Sequence, residues 1–298
     1  MSGIRHALAM IHADRTRRGS RHSSRRLMLR QQDSLMRFPS RHNPPRGTCH
    51  TLADGSIILG TGLLLPEKED TLILGDLHLG FEQQDAGRLM PADNCRTIIE
   101  QIGAMLERAA TFGRIPRRVV LNGDIKHGFG PPTRAEKKEI GTLLAYLRAR
   151  FASVIVVRGN HDTGLSAGML GPDVKLCDRM TIGQHLITHG DCIPHRIGKN
   201  VKTLIVGHEH PAIAFRERPT ERFKCFLLGH LQLGGAVGRT LAITFMPSAF
   251  TLNQGSNVLA EKPVGPLLPL ARNLHVMVVG EVGEQIMDFG NLADLHKF

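Results

Sequence analysis

The sequence predicts an α/β fold in which a buried sheet delivers polar side chains to one of its edges. Three observations carry that prediction. Five short apolar runs each lead into glycine and polar residues able to bind metal. Two amphipathic stretches of helical period separate the first three runs. After the fifth run the chain turns to β-like segments.

The runs come in order. Thr71-Leu72-Ile73-Leu74 precedes Gly75-Asp76-Leu77-His78, and Val119-Val120-Leu121 precedes Asn122-Gly123-Asp124. Val154-Ile155-Val156-Val157 precedes Arg158-Gly159-Asn160-His161-Asp162. His185-Leu186-Ile187 leads into Thr188-His189-Gly190, and Leu204-Ile205-Val206 into Gly207-His208-Glu209-His210. Such Val- and Ile-rich runs read as strands buried on both faces. A glycine at a strand's end permits the sharp turn that tips the next side chain over the sheet edge. Ligand sites in α/β sheets form there, outside the carboxyl ends of the strands.

Residues 93–112 place Ile98, Ile99, Ile102, Met105, Leu106 and Ala109 on one helical face, with Asp93 as N-cap and Gly113 as the stop. Residues 134–150 follow the capping-box pattern Thr133-Arg134-Ala135-Glu136 and carry Ile140, Leu143, Leu144 and Leu147 on one stripe. Beyond His210, the runs Phe223 to Leu228, Leu241 to Phe245 and His275 to Val279 predict a second sheet packed on the first within one domain.

Composition sets the outer bounds. The 298 residues are 41% hydrophobic but only 4% aromatic, with no Trp, so the core must rest on Leu, Ile, Val and Met. No apolar run approaches the roughly 18 to 20 residues a bilayer crossing requires, which excludes a membrane-spanning role. The formal charge is +11, yet residues 1–50 alone hold eleven Arg against two Asp. That segment carries +9 and leaves +2 for the rest, so the charge describes an extension and not the site. We expect residues 1–47 to be a disordered Arg-rich extension, closed by Pro44-Pro45, and residues 48–298 to form the domain. A solvated tail, or translated upstream sequence with the start at Met28 or Met36, is the favoured reading of the extension. A transit peptide or a basic arm on nucleic acid are the others. Five scattered cysteines without a C-x-x-C argue against a disulfide scaffold or structural zinc knot and for the reducing cytoplasm.

Taken singly the polar pieces say little. An Asp-x-His triplet arises by chance in roughly every other chain of this length, and a fixed tetrapeptide such as Gly159-Asn160-His161-Asp162 in on the order of one in several hundred. All five, in order and each after a strand-like run, are far rarer. Together Asp76-x-His78, Gly123-Asp124, Gly159-Asn160-His161-Asp162, His189-Gly190 and Gly207-His208-x-His210 resemble the calcineurin-like metallophosphoesterase signature. Gly75-Asp76-Leu77-His78-Leu79-Gly80, Gly123-Asp124-Ile125-Lys126-His127 and Met287-Asp288-Phe289-Gly290 resemble the archaeal and bacterial branch related to the SbcD nuclease.

The donor types make sense on their own. Imidazole nitrogens with carboxylate and amide oxygens, and no thiolate, suit Mn, with Fe or Zn as alternatives. The resemblance implies a four-layer α-β-β-α sandwich of two mixed sheets flanked by helices. It also implies a pair of divalent metal ions, with Asp124 bridging them. Asp76, His78 and His210 would complete one shell, and Asn160, His189 and His208 the other. A hydroxide between the metals would attack phosphorus in line. His161 would contact phosphate and stabilise or protonate the leaving oxygen, with Asp162 orienting it. Lys126 and His127 match the nuclease branch and are candidates for a supporting or phosphate-contacting role, a solvated loop being the bland alternative.

The function expected is a binuclear phosphoesterase cleaving phosphodiester bonds, in nucleic acids or nucleotides. A phosphomonoesterase or cyclic-nucleotide hydrolase is the alternative, because no room remains for the DNA-capping domain of SbcD-type nucleases. A metal-binding protein-interaction scaffold is the reading from another class. Filled ligand positions and His161 favour an enzyme. The partners implied are a phosphate ester, with nucleic acid among the candidates, and no membrane.

Overall fold

A computed structural model describes residues 50–81, 94–216, 219–233, 238–280 and 285–295. The Arg-rich extension and the Asp93 cap lie outside the described residues.

The first sheet has seven strands in sequence order: β1 (His50–Thr51), β2 (Ile57–Leu59), β3 (Gly62–Leu65), β4 (Thr71–Gly75), β5 (Arg118–Asn122), β6 (Ser153–Val157) and β7 (Val174–Cys177). β1 to β4 form antiparallel hairpins, whereas β4 to β7 run parallel. Parallel neighbours need crossovers. Helices α1 (Asn94–Thr111) and α2 (Arg134–Arg148) supply the first two, and the third passes through a 3-10 turn (Asn160–Gly164) and α3 (Ala167–Leu170). Both long helices match their expected spans within two residues. Thr133 and Glu136 close the capping box, and Gly113 ends α1 at φ +69°.

The second sheet contains β8 (Arg179–Ile182), β9 (His185–Thr188), β10 (Thr203–Val206), β11 (Pro211–Ile213), β12 (Phe223–Leu233), β13 (Arg239–Phe245), β14 (Ser256–Asn257), β15 (Ala271–Val279) and β16 (Ile286–Asn291). Its path runs β14-β11-β12-β13-β10-β9-β8, with β15 on the other edge of β12 and β16 beyond it. β9, β10 and β13 are mutually parallel neighbours; most other pairs are antiparallel. Both sheets are therefore mixed.

Side chains of successive strand residues point to opposite faces, and here both faces are apolar. Leu72 and Leu74 of β4, Val119 and Leu121 of β5, and Val154 and Val156 of β6 pack under Ile98, Ile102, Met105, Leu143 and Leu147 of the helices. The intervening Ile73, Val120, Ile155 and Val157 point the other way. They meet Ile187, Ile205, Phe226 and Met277 of the second sheet. The outer face of that sheet, with Leu204, Val206, Cys225, Leu227 and Val276, is covered by Leu267, Leu268, Phe289 and Leu295. This fourth layer is thin. Its described helical part is one 3-10 turn (Leu268–Leu270) and the four-residue α4 (Leu292–Leu295), so irregular chain completes a layer expected to be helical. Among the described residues no helix is long and apolar enough to cross a membrane.

The register brings the carboxyl ends of β4, β5 and β6 in one sheet beside those of β9 and β10 in the other. Asn122, the last residue of β5, donates from Nδ2 to the carbonyl of Thr188, the last of β9, at 3.0 Å. All five polar pieces consequently face one another.

Candidate metal centre

Asp76 and His78 follow β4, Asp124 follows β5, Asn160 and His161 open the 3-10 turn after β6, His189 follows β9, and His208 and His210 follow β10. Two triads have ligand atoms all within 4.8 Å of one another and can hold a metal: Asp76 with His78 and His210, and Asp124 with His189 and His208. Asn160 joins the second, its Oδ1 lying 2.9 Å from His189 Nε2. Asp124 stands between them, with Oδ2 at 3.5 Å from His189 Nε2 and 3.8 Å from His78 Nε2. The structure thus brings together all seven residues expected to ligate.

Local backbone explains how so many groups converge. Asp76, His78, Asp124, His208 and His210 all have φ between +45° and +66°. Left-handed conformations are costly for residues with a Cβ and persist where the surroundings over-determine them. Here backbone bonds do so. Leu77 and His78 both donate to the Asp124 carbonyl, at 3.0 and 2.9 Å, and Asp76 donates to that of Gly123 at 3.1 Å. Gly123, at φ +82°, and Gly159 let the chains approach closely: a Cβ would strike the His189 ring at the first and the Asp124 carboxylate at the second.

The electrostatics are those of acceptors crowded together. Asp76 and His189 are wholly buried, and Asp124 and His78 are 2% and 5% exposed. Burial pushes the Asp76 carboxyl up, but the charges of His210 and His189 outweigh it and hold the group below its usual range. Asp124 is likewise low: burial opposes ionisation, while bonds to His189 and to the His161 N–H prevail. Burial and the neighbouring His210 press His78 down to about 3. His189 goes the other way. Burial lowers it, yet its bond to Asp124 and the charge of Asp76 bring it up to about 9. Ring nitrogens also meet ring nitrogens, His78 with His210 at 3.4 Å and His208 with His189 at 3.1 Å, and His189 Nδ1 is buried without a hydrogen-bond partner among the described residues. Two ionised carboxylates ringed by imidazole lone pairs fit divalent cations, whose charge satisfies donors that protons serve poorly.

His161 lies at the rim. Its Nδ1 contacts the His127 carbonyl, which turns Nε2 inward to 3.8 Å from Asp124 Oδ2. Asp162, expected to orient His161, is buried elsewhere. Its carboxylate accepts from the backbone N–H of Ile125, Gly159 and Lys126 at 3.0, 3.0 and 3.4 Å. It therefore pins two site loops together, and the His127 carbonyl aligns the ring. Desolvation, only partly offset by the Gly159 N–H, raises Asp162 to about 6. Lys126 is fully buried, with Nζ bound to the carbonyls of Gly128 and His161, which removes the phosphate-contacting option. His127 Nδ1 sits 3.4 Å from His78 Nδ1, and His78, His127 and His161 form a third cluster able to hold a metal.

Other contributors are not visible in the motifs. Ser248 Oγ and the Phe250 N–H donate to the Asp76 carbonyl at 2.9 and 3.1 Å, and Ala249 N–H to that of Gly75 at 2.8 Å. Lys224 holds this strap through the carbonyls of Ser248, at 2.7 Å, and Phe250. Burial, weakly countered by Asp76, brings Lys224 down to about 7. Glu209, the variable residue between His208 and His210, accepts from the Val264 and Gly265 N–H at 3.0 and 2.7 Å. Only its place in the Gly-His-x-His piece signalled it; the strap carries no pattern of its own.

Residues 70–194 match the family model of calcineurin-like phosphoesterases. The Pseudomonas putida nuclease MPE has a similar fold, with a TM-score of 0.51 and 14% identity over 79% of this chain and 96% of that one. No curated protein matches significantly in sequence. The matched segment carries Asp76 to His189, so it resembles the calcineurin-like phosphoesterases, and the fold and the two triads agree with a metal-dependent hydrolase acting on phosphoester bonds.

Proposed function

We propose that the chain hydrolyses phosphodiesters, nucleic acid or nucleotides among them, at a centre of two divalent cations, Mn by preference. The observation that carries this reading is the pair of His–Asp triads joined by Asp124. Asp76, His78 and His210 would hold one cation and Asn160, His189 and His208 the other, with Asp124 placed between the two sets. Divalent cations bound there would supply Lewis acidity and lower the pKa of water. His161 Nε2 faces the same space and gives a proton or hydrogen bond to the leaving oxygen, while the His127 carbonyl fixes the ring. Asp162 and Lys126 hold the loops that carry Asp124, His127 and His161 at one spacing. Lys126 commits its ammonium to backbone carbonyls and so acts on the loops and not on the substrate. Four described cysteines are free thiols, in keeping with the cytoplasm. The catalytic unit lies within residues 48–298.

The test is a substrate panel on metal-stripped protein resupplied with Mn: bis(p-nitrophenyl) phosphate, p-nitrophenyl phosphate, a cyclic nucleotide and single-stranded DNA. Preference for the diester and DNA supports the reading. Preference for the monoester or the cyclic nucleotide would replace it.

A further inference from the structure

We propose that Phe129 is a stacking platform for a nucleobase on the leaving side of the scissile phosphate. The proposal rests on the phosphodiesterase reading and adds to it a substrate class and a residue that selects it.

The chain is poor in aromatic side chains, with twelve Phe, one Tyr and no Trp. Rings nevertheless crowd the site. Phe81 lies edge-on to His127 at 4.8 Å and to Phe250 at 4.9 Å, and Phe250 tilts against His78 at 5.7 Å. Phe129 closes the other flank. Its ring stacks on His161 with centroids 4.0 Å apart and planes 26° apart. Unlike Phe250, which is 2% exposed, Phe129 is 71% exposed. One face covers the proton donor and the bulk of the ring is left in water, so a planar group can reach it beside His161.

The backbone on either side of the ring is also held in place. The Gly128 N–H donates to Glu136 Oε1 at 2.8 Å, and Lys126 Nζ binds the Gly128 carbonyl. The same ammonium binds the His161 carbonyl, so one buried charge ties together the backbones of both stacked rings. On the other side, Gly164 packs so closely on the Gly130 carbonyl that a Cβ could not fit. A platform ordered in advance loses little freedom on binding. Because His161 serves the leaving oxygen, the ring beside it meets the leaving group. Bases of any sequence stack on such a ring, since each has a π-face.

The test is equilibrium binding to the Mn-loaded full chain, with slowly hydrolysed probes: inorganic thiophosphate against the 5′- and 3′-phosphorothioates of thymidine. The wild type is expected to bind one nucleoside ester about tenfold more tightly than thiophosphate, in the range a stacked base contributes. Phe129→Ala and Phe129→Leu should shrink that margin to about twofold, Phe129→Tyr should keep it, and thiophosphate affinity should stay unchanged throughout. No margin in the wild type, or a margin that survives in Phe129→Ala, would overturn the platform and leave the phosphodiesterase reading standing. Equal weakening of all three probes in Phe129→Ala would also overturn it, because the ring would then act by supporting His161. Absence of Mn-dependent thiophosphate binding in the wild type would overturn both.

Discussion

Strand β9 carries a buried histidine at each end, and the two ends have different fates. His185, at the start, has Asp54 at 3.3 Å from Nε2 and Glu67 at 3.8 Å from Nδ1. His189, just past the finish, has Asp124 at 3.5 Å from Nε2 and Asp76 at 3.6 Å from Nδ1. By composition the clusters are the same: one imidazole between two carboxylates. Around His185, however, the carboxylate side chains are 30% and 34% exposed and water shares their charge. Around His189 both carboxylates are sealed, three further histidines approach, and five backbone positions are left-handed. An ion pair whose carboxylates reach water needs neither strain nor crowding. Their presence at only one end of the strand marks that end as built for a ligand and not for stability.

The largest predicted effect is at the shared carboxylate. Asp124→Asn should cut turnover by at least about a thousandfold and weaken metal binding about 10- to 100-fold, as read by kinetics and metal analysis. Retention of both would mean the two triads work apart. His161→Ala should lower kcat about 10²- to 10⁴-fold with metal content unchanged, separating proton donation from ligation. Lys126→Met leaves two carbonyls without their donor and should cost about 2–4 kcal/mol in chemical denaturation.

Smaller effects come from protons. His189 is raised to about 9 in the metal-free chain, so its stabilising proton is fully present below pH 6.5 and is lost as pH rises through 9. A cation must displace that proton. Mn affinity should therefore rise with pH from 6.5 to 9 in calorimetric titrations, and a flat profile would contradict the protonated cluster. At the other end of β9, His185→Gln should cost about 1 kcal/mol or less and leave turnover intact. Burial raises Asp54, yet its bonds to His185 and Ser56 carry it down to about 2. Its contribution is thus present above pH 4 and is lost as pH falls through 2, which acid unfolding of the variant reads directly.

This contrast was only half legible in the sequence. Residues such as Asp76, Asp124 and His208 were visible because each follows a glycine after an apolar run, a local pattern that places a side chain at a strand end. The same regularity left His185, at a strand's start, outside the site. The helices were legible from their stripes and caps, and the strands of the first sheet from their Val and Ile. Roles set by long-range contacts were not. Asp162 adjoins His161 in the chain yet its carboxylate faces the Ile125 and Gly159 backbone, and Ser248 reaches Asp76 from 172 residues away. Phe129 gave no signal because an isolated Phe between glycines has no period. The thin layer over the second sheet escaped for a related reason: irregular chain around Leu267 and Leu268 buries apolar area without any repeat.

The most direct measurement is a titration of metal-stripped protein with Mn, following bound metal and hydrolysis of bis(p-nitrophenyl) phosphate in the same samples. The account predicts two ions per chain, with turnover appearing as the second is bound and at least about a thousandfold lower in Asp124→Asn even at saturating Mn. Turnover without metal, or full activity at one ion per chain, would contradict it.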